Sequence, residues 1–125
     1  MPTEIINYYD GFEGEPEIIL TQKDGLTTKQ IRLWDGYFNA IMNLIKVDPI
    51  SGRWTHLAYY YHLHIGWYEE DSWQIPDLTS TLKQIHEIQI PETNDMDILV
   101  EIQYRIIHFL EDAISNNRTV CIHYE

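Results

Sequence analysis

An α+β fold, rich in helix, follows from three observations. Segments 28–46, 78–88 and 95–116 repeat apolar residues at three- and four-residue steps, the period of a helix with one buried face. Segments 4–9, 17–22 and 119–124 are short and carry β-favouring Ile, Val and Tyr. The chain has 125 residues, 44% of them hydrophobic, enough to bury one core, and no linker or repeat divides it. These observations predict a single domain over 1–125, with about four helices packed on a small sheet of N-terminal strands and a C-terminal strand.

The elements are read in order. Strands at 4–9 and 17–22 flank Asp10-Gly11-Phe12-Glu13-Gly14-Glu15-Pro16, a turn-rich loop, and Asp24-Gly25 marks another turn. Thr27-Thr28-Lys29-Gln30 has the form of a capping box, with Thr27 as N-cap and Gln30 reaching back. Behind it Ile31, Trp34, Phe38, Ile41 and Ile45 make the stripe of the helix predicted over 28–46, which Gly36 weakens by about 1 kcal/mol and Asp48-Pro49 ends.

Residues 53–68 fit both periods. A helix collects Trp54, Leu57, Ala58, Tyr61, Ile65 and Tyr68, whereas a strand alternates Leu57, Tyr59, Tyr61, Leu63, Ile65 and Trp67. Ser51-Gly52 and Gly66 would bound a helix, which is the reading preferred. Pro76-Asp77 opens a short helix with Leu78, Leu82, Ile85 and Ile88 on one side. The longest helix, 95–116, buries Leu99, Ile102, Ile106, Phe109, Leu110 and Ala113, and Asn116-Asn117 is its exit. In the last strand Cys121 should face away from Val120 and Ile122, and the N-terminal strands are its expected partners.

The charge narrows function. Twenty Asp and Glu against eight Lys and Arg give a net charge of −12, interleaved with 9 Tyr, 4 Trp and 3 Phe. Such a surface is repelled by phosphate backbones and anionic membranes, so neither nucleic acid nor membrane is the expected partner. It favours a basic protein. The first residues lack the basic and apolar regions of a signal peptide, no window approaches a membrane span, and a lone cysteine forms no internal disulfide; a cytoplasmic protein is expected.

Three constellations carry chemistry. His62-Leu63-His64, with His56 before and Glu69-Glu70-Asp71 after, would place two imidazoles on one face of a strand as zinc or iron ligands; in a helix they point about 200° apart and the site dissolves. No metal or other cofactor is therefore expected. The run from Gly66 to Asp77 sets three acids between Trp67, Tyr68 and Trp73, a composition suited to interface anchors with charges beside them. Paired carboxylates near aromatics also serve glycoside chemistry, but sequence neighbours do not establish the required separation. The acidic stretch Asp10–Glu17 is a third, exposed candidate. The partner-binding residues expected are Tyr68, Glu69, Glu70, Asp71 and Trp73, with Glu13 and Glu15 second. No catalytic residue is assigned, and a non-enzyme is expected.

In size, sign of charge and aromatic content the chain resembles the small bacterial immunity proteins. That resemblance implies a protein that neutralises a basic cognate toxin, often a nuclease, by covering its active site with carboxylates and aromatics. It carries over no individual residues. Two other readings stand beside it: a small metal-binding or hydrolytic enzyme using His62, His64 and Glu69 or Asp71, and a self-associating structural or regulatory subunit.

Overall fold

The computed structural model describes residues 3–24, 27–70 and 72–125, with the side chains of Thr3 and Asp24 outside the description. It shows the α+β architecture, four helices packed against a five-stranded mixed sheet. The strands are β1 (Thr3–Tyr8), β2 (Glu17–Asp24), β3 (Thr27–Trp34), β4 (Trp73–Gln74) and β5 (Val120–Tyr124), in the order β1-β3-β2-β5-β4. The helices are α1 (Asp35–Met42), α2 (His56–Leu63), α3 (Leu78–His86) and α4 (Met96–Ser115).

The largest departure from the sequence reading lies at 28–46. Its first third is strand β3, antiparallel to β2 and parallel to β1, and only Asp35–Met42 is helical. The apparent stripe joins two periods. Ile31 and Leu33 alternate into the core as a strand does, then Phe38, Ile41 and Met42 continue as a helix. Thr27 therefore opens a strand instead of capping a helix, and the Gln30 side chain turns to Thr21 of β2, with its Nε2 3.4 Å from the hydroxyl oxygen. The Asp24-Gly25 turn falls partly outside the described residues, although Asp24 pairs with Thr27 across it.

The other helices follow the patterning. The helical reading of 53–68 holds over His56–Leu63, where Leu57, Ala58 and Tyr61 are buried. It stops at His64, whose φ of 55° is left-handed. Asp77 caps α3 by accepting the Ser80 N–H at 3.0 Å. All six residues expected on the buried face of α4 are buried, and Asn117 leaves it at φ 55°.

Alternation along the strands gives the sheet two unlike faces. Ile18, Leu20, Ile31, Leu33, Val120 and Ile122 join one hydrophobic core with the helices. Thr21, Gln30, Arg32, Cys121 and His123 alternate with them on the opposite face and are half-buried. Cys121 thus faces away from Val120 and Ile122, as expected. β5 lies between β2 and the two-residue β4, so the last strand does pair with an N-terminal one.

Candidate functional site: the acidic end of the sheet

Strand register gathers distant segments at one end of the sheet. β3 finishes at Trp34, opposite Glu17 where β2 begins. β5 finishes opposite Ile18, and Glu17 and Glu125 exchange backbone hydrogen bonds of 2.9 and 3.0 Å. β4 opens with Trp73 opposite Ile122, so the chain from 66 to 72 enters at this same end. The loop 9–16 joins the end of β1 to the start of β2 here. Both acidic stretches singled out in the sequence are therefore attached to the same end of the sheet.

Loop 9–16 is fixed by its own bonds. The Asn7 Oδ1 accepts the N–H groups of Tyr9 at 2.8 Å and Asp10 at 3.1 Å, and the Tyr9 hydroxyl donates to the Glu15 carbonyl. Phe12 stacks on Trp34 at 4.2 Å and 6°, and Tyr37 meets both rings edge-on. Gly36 makes room for this clip: a Cβ there would lie 2.4 Å from the Trp34 ring. Glu13 and Glu15 are left exposed, Glu13 accepting the Gly11 N–H at 2.7 Å. Glu15, Glu17 and Glu125, with Tyr9, line a shallow open concavity of about 440 Å3. The cation nearest in sequence pairing, Arg32, is held by Glu17 in a two-pronged ion pair of 2.7 and 3.0 Å.

The segment 66–73 is anchored inward. Glu69 and Glu70 are exposed and donate their N–H groups to the Gly66 carbonyl at 3.0 and 2.9 Å. Among the described residues no ion pair engages Glu13, Glu15, Glu69 or Glu70. Asp71 lies outside the described residues. Tyr68 is half-buried, with its ring 5.5 Å from that of Tyr124 and 4.9 Å from that of His64. Trp73 corrects the expectation of an exposed anchor: it is 9% exposed, and its neighbour Trp67 is 2% exposed. Their apolar rings satisfy the core under the loop, so the acids alone are on display.

Beneath this end is a polar cluster that the sequence did not reveal. Asp35, in the first turn of α1, donates its backbone N–H to the Pro16 carbonyl at 3.0 Å. Its Oδ2 accepts the Asn39 amide at 3.0 Å, and the Asn39 Oδ1 accepts the Tyr61 hydroxyl at 2.9 Å. The Asp35 Oδ1 and the Trp67 Nε1 are buried with no hydrogen-bond partner among the described residues. Burial pushes the Asp35 carboxyl above its ordinary value, against the Asn39 bond. Burial, then the Asp35 charge, pushes the Tyr68 hydroxyl up to about 12, so it remains a proton donor at neutral pH. The helical reading of 28–46 had hidden Asp35 as one more polar-face residue.

The histidines do not converge. The His62 ring stacks on Trp54 at 3.9 Å, whereas His64 stacks on Tyr68. Burial, then the neighbouring His64, lowers the His62 pKa. Among the described residues no group of three or more His, Cys, Asp and Glu is placed to hold a metal ion. None of the helices described is long and apolar enough to cross a membrane.

No protein-family model matches this chain, and neither the curated proteins nor the solved structures yielded a match.

Proposed function

We propose that this is an immunity-type inhibitor that binds a basic cognate toxin, for example a nuclease, through the acidic end of its sheet. The observation that carries the reading is that loop 9–16 and segment 66–70 lie at the same end of the sheet as the concavity lined by Glu15, Glu17 and Glu125. Four exposed glutamates without ion pairs among the described residues, in a chain of net charge −12, raise the local concentration of a positively charged protein. On the toxin those carboxylates take the positions that phosphates would occupy. Loops held by their own hydrogen bonds lower the entropy lost on docking, which offsets the burial of Trp67 and Trp73 at this end.

Affinity capture from the source cell, washed at low and high salt, tests this reading. A basic protein recovered in stoichiometric amount, with binding weakened by salt, is the expected result. Changing Glu13, Glu15, Glu69 and Glu70 together to Gln should then slow association about tenfold or more at low salt. Capture of no basic protein at low salt, with candidate toxins verified as expressed, overturns the proposal.

A further inference from the structure

A second cavity lies between α2 and the turn that joins β4 to α3. It has a volume of about 160 Å3 and is lined by Tyr59, Tyr60, Trp73 and Asp77, with His56 and Thr81. That is below the roughly 300–1,000 Å3 of pockets that enclose whole small molecules, and on the scale of one side-chain head. Its walls combine the rings of Tyr59, Tyr60 and Trp73 with apolar Leu57, Ile75 and Pro76. Tyr60 lies 4.7 Å from Trp73 at 52°, and Tyr59 meets Tyr60 edge-on at 5.2 Å. Ring faces of this kind attract cations.

The charge beside the rings is already fixed. Asp77 accepts the Ser80 N–H on Oδ1 at 3.0 Å and the Ser80 hydroxyl on Oδ2 at 2.8 Å. Those bonds hold its carboxyl below the usual aspartate value, so it is ionised at neutral pH. Beside the Ser80 bonds and that of the Thr79 backbone, the carboxylate has room for a further donor. Among the described residues no Lys or Arg lines the cavity, and His56 is the basic side chain in its wall. His56 forms part of the wall with φ 52°, a left-handed backbone that a side chain disfavours.

We propose that this cavity is a guanidinium subsite that takes the head of one arginine from the basic partner, its plane against Trp73 and Tyr60 and its N–H groups on Asp77. A trimethylated ammonium would bring no N–H donor to Asp77, and a lysine head, methylated or not, offers no plane to stack; a guanidinium meets both. Trp73 links the subsite to the acidic end, because the middle of its indole packs 3.0 Å from the Cβ position of Gly66. The identity of the occupant rests on the inhibitor reading above, whereas the recognition chemistry rests on the cavity itself.

The test is a titration of the isotope-labelled full chain with acetyl-arginine methylamide and with its neutral citrulline counterpart, following the Trp73 indole resonance. A saturable shift with arginine, at least about tenfold weaker with citrulline, is expected. Asp77→Asn keeps a helix cap, and Tyr59→Ala removes a ring that is 42% exposed. Each should weaken the arginine response about fivefold and, in the complex, raise the partner's Kd about tenfold. No response to arginine, or an equal one to citrulline, overturns the subsite whatever the partner does. A response to arginine with the partner's Kd unchanged in both variants overturns the partner as its source and leaves the inhibitor reading standing. Failure to capture any basic protein removes that reading and, with it, the occupant assigned here.

Discussion

The two loops that display carboxylates at the acidic end are secured in opposite ways. Loop 9–16 closes on itself through Asn7, Tyr9 and the Glu15 carbonyl, and clips to the junction of β3 and α1 from outside by packing Phe12 on Trp34 and Tyr37. Segment 66–73 has a short Gly66 turn and drives Trp67 and Trp73 into the core. The same acidic display thus rests once on surface hydrogen bonds and rings, and once on the interior packing of the whole domain. Charge on the first can be altered with local consequences; aromatics of the second cannot be touched without the fold responding.

Breaking the inward anchor should have the largest effect. Trp73→Ala removes a ring packed against Trp67, Tyr60 and the Gly66 turn, and is expected to cost about 3–5 kcal/mol in urea denaturation. A loss below about 1 kcal/mol would refute its place in the core. Gly36→Ala attacks the outer clip: the new Cβ meets the Trp34 ring at 2.4 Å, and relieving that should cost about 1–3 kcal/mol. Hydrogen exchange should then show faster opening in loop 9–16 than in segment 66–73, whereas equal opening would mean the loops are coupled.

Asp35→Asn sharpens the comparison from beneath. Burial raises the folded pKa of Asp35, so the folded state binds that proton more tightly than the unfolded one. Its contribution is fully present below the unfolded value of 3.8 and is lost as the pH rises through the folded value. At neutral pH the variant should therefore gain stability, and its stability should fall less than the parent's as pH rises through that window. Equal pH profiles by thermal denaturation would exclude the effect. The smallest change in stability is expected from Glu69→Gln with Glu70→Gln, within about 0.5 kcal/mol of the parent, because both side chains are exposed and unpaired among the described residues.

Where one physical signal dominated a segment, the sequence was readable. α4 has a single long period, and its six core residues are the ones its spacing picks out. The cap at Asp77 and the inward Val120 and Ile122 follow from local chemistry in the same way. The segment 28–46 misled because Ile31, Trp34 and Phe38 straddle a strand–helix junction, and steps of three and four across it mimic one helix. The alternation of Ile31 and Leu33 with Gln30 and Arg32 was the signal for β3; with β3 unread, nothing placed β1 away from β2. Both acidic stretches were visible as candidates, but their place at the same end of the sheet depends on β5 pairing with β2 and β4, a long-range choice that local propensity does not specify. The burial of Trp73 was invisible for a similar reason, since a two-residue strand has no period.

The position of β5 also governs how the protein is made. Its partner β2 lies about a hundred residues earlier in the chain, at Ile18 opposite Tyr124 and Gln22 opposite Val120. At roughly 5–20 residues per second, a ribosome takes about 5–20 s to produce the stretch between them. Throughout that interval β2, with Ile18, Ile19 and Leu20, offers one side of its backbone to any passing strand. Newborn chains are therefore most exposed to aggregation before β5 emerges, and a chaperone that shields residues 17–24 would act in that window.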